Sequence, residues 1–250
     1  MSRHLSDLVV GDTIILVPGI DGTAELFYRQ IPLLAERFNV VAFPLRDDAQ
    51  TTMATLIEDL RVLINEVAPG GAVLLGESFG GALAMSFALA HGELVKGLII
   101  INSFPWLRNR PQLHVGRILM RLIPSAAMPY IRRGTASRLH SRHTNAEDLA
   151  EFWEHTNDID QVGYRSRLGI LGRYDIRHRL REIVAPTLLL AADEDRLIPS
   201  VSWARYMRER IPNSSMTVLT GYGHICLITH DLDLRTYVLE WWDRQLDPTI

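Results

Sequence analysis

A serine hydroxyl is a weak nucleophile until a neighbouring base takes its proton. Ser78 stands in the string Gly76-Glu77-Ser78-Phe79-Gly80, followed by Gly81. The apolar run Ala72–Leu75 leads into it, and a segment with helical spacing runs from Gly81 to Ala90. A serine at a tight bend between strand and helix projects its hydroxyl outward. Glycines two residues before and two after keep side chains out of that close approach. The first amides of the helix then lie beside the nucleophile, ready for developing negative charge. Without such a setting, the same string is an ordinary strand-to-helix turn with a serine cap.

Two more groups are needed, an imidazole and a carboxylate to orient it. His224 follows Gly221-Tyr222-Gly223, just beyond the last apolar run, and Asp195 lies just beyond the run Thr187–Ala191. Both fall where strands end, the edge at which open α/β sheets bind ligands. Each also has a plainer reading, His224 as a capping or core histidine and Asp195 as the start of a helix or a partner of Arg196. His230 is a weaker rival base, because it falls within or beside the terminal helix. No set of His, Cys and carboxylate side chains shows metal-ligand spacing, so no metal and no cofactor is expected.

The elements that must position these residues follow from hydrophobic pattern. Thr13–Val17, Val40–Phe43, Ala72–Leu75, Leu98–Ile101, Thr187–Ala191 and Met216–Leu219 are short apolar runs, mostly without alternation. Strands buried on both faces of a parallel sheet read this way. Helical spacing fills Ala24–Arg37, Thr52–Val67, Gly81–Ala90, Ser200–Arg210 and His230–Arg244. The expected fold class is α/β, a mostly parallel sheet with helices on both faces.

The alternation fails between Phe104 and about Leu180, where Pro105, Pro111, Pro124 and Pro129 punctuate the chain and no convincing strand is found. Leu113, Ile118, Leu119, Leu122 and Ile123 suggest one helix, and Leu149, Phe152 and Trp153 another. The division expected is a core of residues 1–104 and 181–250 and a mainly helical lid of residues 105–180.

The chain resembles the α/β-hydrolase superfamily over nearly its whole length outside the insertion. That resemblance rests on the glycine-flanked Ser78 bend and on the order Ser78, Asp195, His224. It implies that Ser78 attacks a carbonyl, that His224 takes and returns the proton, and that Asp195 holds the imidazole. The family pattern of an acid, three residues and a proline selects Asp195, ahead of Pro199, over Asp193 and Glu194. The other acid position known in the family, after Leu98–Ile101, holds Asn102 and Ser103 and offers no carboxylate.

By the same resemblance the amides of Ile20 and Phe79 form the oxyanion hole. Relatives often carry His-Gly where this chain has Pro18-Gly19, but the role needs backbone N–H groups rather than an imidazole. The plainer reading of Val17-Pro18-Gly19-Ile20-Asp21-Gly22-Thr23 is a glycine-rich turn. A phosphate cradle does not fit, since Gly19 and Gly22 lack dinucleotide spacing and no P-loop lysine follows. Asp21 would oppose negative charge there, so it is expected to be structural and to bond to Thr23.

The insertion is expected to cover Ser78 and to line an acyl pocket with Trp106, Leu113, Leu119 and Met120, although apolar spacing is more often core packing. It also carries Arg108, Arg110, Arg117, Arg121, Arg132, Arg133, Arg138 and Arg142, with no acid before Glu147. Such a run usually forms a solvated face. The sharper reading is a docking surface for an acidic acyl carrier protein or a coenzyme A thioester.

At 250 residues the chain suits one domain with an insertion, and 47% hydrophobic residues suit a sizeable core. A net charge of -3 gives no reason to expect nucleic acid or an anionic membrane. Cys226 is the single cysteine, and Lys96 the single lysine. No apolar stretch reaches membrane-spanning length and no secretory signal is recognised, so a cytoplasmic protein is expected.

The function these features favour is hydrolysis of a carboxylic ester or thioester, with a small-molecule acyl substrate and a carboxylesterase as the default. Thioesterase or acyltransferase chemistry follows closely. A serine at the bend argues against epoxide hydrolysis and haloalkane dehalogenation, which resemblance associates with aspartate there. Carbon–carbon hydrolysis and cofactor-free peroxidase chemistry stay open. A non-catalytic small-molecule receptor on the same fold is the reading from another class.

Overall fold

The computed structural model describes residues 12–107, 138–156 and 160–246. Within them lies a six-stranded sheet built from β1 (Thr13–Val17), β2 (Asn39–Ala42), β3 (Ala72–Glu77), β4 (Val95–Ile101), β5 (Thr187–Ala192) and β6 (Ser214–Leu219). The strand order is β2-β1-β3-β4-β5-β6, with every pairing parallel. β1, β3 and β5 are buried along their whole length, whereas the edge strands β2 and β6 are largely half-buried or exposed. That difference explains why the central runs lack alternation.

Successive side chains leave a strand on opposite faces, so one sheet feeds two cores. Ile15, Val17, Leu74, Ile100 and Leu189 meet α2 (Met53–Val67), α3 (Phe79–Ala90) and the later helix α6 (Ser200–Arg208). Ile14, Leu16, Val73, Leu75, Ile99 and Leu188 meet α1 (Gln30–Ala35) and α7 (Leu234–Leu246). Each buried aliphatic side chain contributes about 1.5–3 kcal/mol of transfer free energy, so this double-sided burial is the main stabilising force. α2 shows how the sequence sets a helix. Thr52 accepts from the Thr55 amide at 3.1 Å and Thr55 Oγ1 from the Thr52 amide at 2.9 Å, and Leu56, Leu60 and Ile64 form one buried stripe.

The helix expected over Ala24–Arg37 is broken in two. Ala24 takes a left-handed φ of 63°, Glu25–Phe27 form a 3-10 turn, and α1 starts at Gln30, with Pro32 in the first turn where its missing N–H is tolerated. The helix expected from His230 begins instead at Leu234. Asp233 caps it by accepting from the Arg235 amide, while buried Gln30 accepts from the Leu234 amide and donates to the carbonyls of Leu227 and Leu232.

Beyond β4, the described residues add α4 (Ala146–His155), α5 (Gln161–Leu171) and a 3-10 segment, Arg177–Glu182. α4 falls on the helix expected around Leu149, Phe152 and Trp153, and its Phe152 packs with Leu26, Ile225 and Ile228. An isolated antiparallel bridge joins Trp106 to Asp175. Among the described residues no helix is long and apolar enough to cross a membrane.

The strand order reverses between β1 and β3, the crevice where such sheets bind ligands. There α3 presses directly on the end of β1. A Cβ on Gly80 would lie 2.0 Å from the Val17 carbonyl oxygen and 2.5 Å from that of Pro18, neither of which can rotate away. Gly80→Ala is therefore expected to cost about 3 kcal/mol of stability through overpacking. Urea unfolding measures this, and an unchanged midpoint would show that the contact is not close.

Candidate active site

Ser78 sits between β3 and α3 with φ 52° and ψ -113°, a conformation that costs a non-glycine residue about 1–3 kcal/mol. Hydrogen bonds hold it on both sides. Its amide donates to the Ile101 carbonyl at 2.9 Å, and its carbonyl accepts from Gly81 at 3.1 Å, Ala82 at 3.3 Å and Ser103 Oγ at 2.6 Å. The serine beyond β4, which offers no carboxylate, thus secures the bend.

His224 is buried, and its two ring nitrogens face the two expected groups. Nε2 lies 3.1 Å from Ser78 Oγ, and Nδ1 lies 2.7 Å from Asp195 Oδ2. Asp195 is itself fixed. Its Oδ1 accepts from the amides of Leu197 at 2.9 Å and Ile198 at 3.0 Å, and its Oδ2 accepts a very short bond from Ser200 Oγ. Burial pushes the Asp195 carboxyl up, but bonds from His224, Ser200 and Ile198 outweigh burial and hold it below its usual range. For His224, burial pulls the imidazole down, while the hydrogen bond and charge of Asp195 outweigh it and leave it raised. The other two acids in that loop are engaged elsewhere. Asp193 accepts from the Gly221 amide at 2.6 Å, and Glu194 pairs with Arg142 at 3.2 Å.

The loop bearing His224 is stapled to the sheet by Asn102. Its Nδ2 donates to the His224 carbonyl at 2.7 Å and reaches the Gly223 carbonyl at 3.3 Å, while its Oδ1 accepts from the Ala192 amide at 2.8 Å. One buried amide therefore ties the ends of β4 and β5 to the imidazole loop.

The loop after β1 is held by a fully buried guanidinium. Arg167, on α5, donates to the carbonyls of Ile20 at 2.9 Å, Asp21 at 3.0 Å and Arg46 at 3.2 Å, and to Asp47 Oδ1 at 2.9 Å. Gly22 makes room, with φ at 86° and a hypothetical Cβ 2.7 Å from the guanidinium carbon. The Gly22 amide closes the turn on the Gly19 carbonyl at 3.2 Å, and Asp21 accepts from the amide and hydroxyl of Thr23, as expected. No hydrogen bond from the amide of Ile20 or Phe79 to another described residue is found. Phe79 adjoins Gly80 and Ile20 follows Pro18-Gly19, so the two residues belong to the segments that the contact of Gly80 with Val17 and Pro18 brings together.

The model of the alpha/beta hydrolase family matches residues 14–234. The chain belongs to that family. Among its relatives, a protein of Caulobacter sp. (strain K31) named "Putative carbamate hydrolase RutD" is 26% identical over 87% of this chain and 85% of its own. The pimeloyl-acyl-carrier-protein methyl ester esterase of Aeromonas hydrophila is 26% identical over 92% and 95%. A thermophilic esterase from Thermogutta terrifontis superposes with a TM-score of 0.83 at 23% identity, covering 94% of this chain and 90% of that one.

The expected lining residues of this hydrolase are only partly placed. Trp106 is half-buried, stands edge-on to Trp203 and lies under the Arg177 guanidinium, 4.0 Å from the ring centre. Leu113, Leu119 and Met120 lie outside the described residues, as do Arg108, Arg110, Arg117, Arg121, Arg132 and Arg133 of the basic run. Among the residues of the site that escape sequence reasoning are Asn102, Arg167 and Glu77. Glu77 leaves one signal, a carboxylate ending an otherwise apolar buried strand, on the same face as Leu75.

Proposed function

We propose that this hydrolase cleaves a carboxylic ester or thioester through an acyl intermediate on Ser78. The observation that carries the reading is the continuous chain from Ser78 Oγ to His224 Nε2 at 3.1 Å and from His224 Nδ1 to Asp195 at 2.7 Å. As Ser78 Oγ bonds to the carbonyl carbon, its proton passes to Nε2 and negative charge moves onto the carbonyl oxygen. The amides of Ile20 and Phe79 receive that charge, each such donor being worth about 3–4 kcal/mol in the transition state. Collapse breaks the bond to the leaving alcohol or thiol, which takes the proton from Nε2. Water then repeats the sequence and releases the acid, with Asp195 holding the tautomer throughout.

The names of relatives support a second reading on the same machinery, a carbamate substrate. The name of another relative, an esterase acting on a carrier-protein ester, supports an acyl group presented by a carrier protein, and the arginine-rich sequence between Arg108 and Arg142 would suit an acidic one.

Incubation with a fluorophosphonate probe should label the wild-type chain, and Ser78→Ala should abolish the label. Parallel assays with p-nitrophenyl esters, an acyl thioester and an aryl carbamate then rank the leaving groups. A folded wild type that takes no label and cleaves none of the three would overturn the proposal. Preference for the carbamate would favour the second reading.

A further inference from the structure

Glu77 ends β3 and immediately precedes the nucleophile. Its side chain is buried, and Oε1 lies 3.6 Å from His224 Nε2, the nitrogen that faces Ser78. On its other side the carboxyl rests against the loop after β1. A Cβ on Gly19 would lie 2.4 Å from Oε2, so the carboxyl fills the space a side chain there would need. No hydrogen bond from a described residue to either oxygen is found. The group thus sits between the imidazole that moves the proton and the loop that carries Ile20.

The ionisable neighbours come from three directions. Asp21 lies on the loop after β1, Asp195 on the loop after β5, and His224 and the Cys226 thiol on the loop after β6. His224 is the one cation-forming group among them, and it already serves Asp195. Burial pushes Glu77 up, His224 pulls it back, and Asp21 and Asp195 push it further, leaving it at about 8.

We infer that Glu77 is a further acid of the active centre, protonated in its working form, whose ionisation shuts the reaction down. This rests on the acyl-Ser78 reading. As a neutral carboxyl it adds no charge where the oxyanion forms. As a carboxylate it puts a second anion beside that charge in a water-poor crevice, where an opposing charge is poorly screened. It also competes with the leaving group for the proton on Nε2, slowing collapse of the intermediate. Stabilisation of the imidazolium offsets this little, because Asp195 already supplies it at 2.7 Å.

The expected kcat/KM profile for a small ester has an alkaline limb. It falls by about 15-fold between pH 8 and pH 9.5, as one shutting-down ionisation at about 8 requires. Glu77→Gln should keep the acid limb set by His224 and lose the alkaline one. A limb that persists in the variant, or a wild type with none, would overturn the inference. The low-field proton resonance of His224 Nδ1 gives a reading on wild type alone, should the variant fail to fold. It is expected to show a second inflection near pH 8, and a single inflection would equally overturn the inference. Failure of the fluorophosphonate to label Ser78 would instead sink the hydrolytic reading, since the resonance follows Glu77 without any turnover.

Discussion

Replacing His224 by alanine is expected to lower kcat/KM for a small ester by about 10⁴–10⁶-fold, the range seen when a triad base is removed. The reason is electronic. Without Nε2 at 3.1 Å, Ser78 keeps its proton and the leaving group finds none. The fold should survive, because the loop is held through the backbone of residue 224 by Asn102 and by the bonds of Gln30 to Leu227 and Leu232, not by the ring. The double variant Ser78→Ala/His224→Ala should be no slower than the slower single one, since groups acting as a unit are strongly non-additive. Asp195→Asn keeps much of the geometry but favours the wrong tautomer, and a loss of about 10⁴-fold is expected. Steady-state kinetics on purified variants decides this. A fall of less than tenfold for His224→Ala would remove the imidazole from the chemistry.

The largest expected effect on stability lies at Arg167. Arg167→Met is expected to cost about 3–5 kcal/mol in urea unfolding, the usual penalty for breaking a buried charged network by removing one partner. The methionine fills much of the volume but leaves the carbonyls of Ile20, Asp21 and Arg46 without their donor. Asp47 is nearly half exposed and can return to water, so most of the penalty falls on those carbonyls. Arg167→Lys should recover only part of it, because a single ammonium cannot span four acceptors on two segments. Turnover should fall in both variants as the loop that carries the Ile20 amide loses the anchor on the carbonyls of Ile20 and Asp21. A loss below about 1 kcal/mol would mean that solvent replaces the guanidinium, and that the loop keeps its shape unaided.

What sequence makes legible here follows from locality. The bend at Ser78 is visible because its glycines are forced by contacts within a few residues, and Asp195 and His224 because they must follow strands that their own apolar runs announce. Asp195 could be told from Asp193 and Glu194 only by family pattern, and the structure separates them by partners. Arg167 was beyond reach. It meets Ile20 across 147 positions, and nothing in the polar and glycine-containing stretch of α5 marks a buried guanidinium. Glu77 was hidden differently, as the unspecified letter inside a motif whose other letters drew attention. The break at Ala24 and the late start of α7 depend on single backbone and capping events, which periodicity averages away.

Ser78 and His224 are 146 residues apart in the chain, and β4, β5 and β6 are all laid down between them. A polypeptide emerging from the ribosome therefore carries its serine long before it carries anything to activate it. On the acyl-Ser78 reading, a chain that ends before β6 lacks the imidazole that faces Ser78 and should be inactive. Regain of turnover after dilution from denaturant should therefore report the joining of these distant segments.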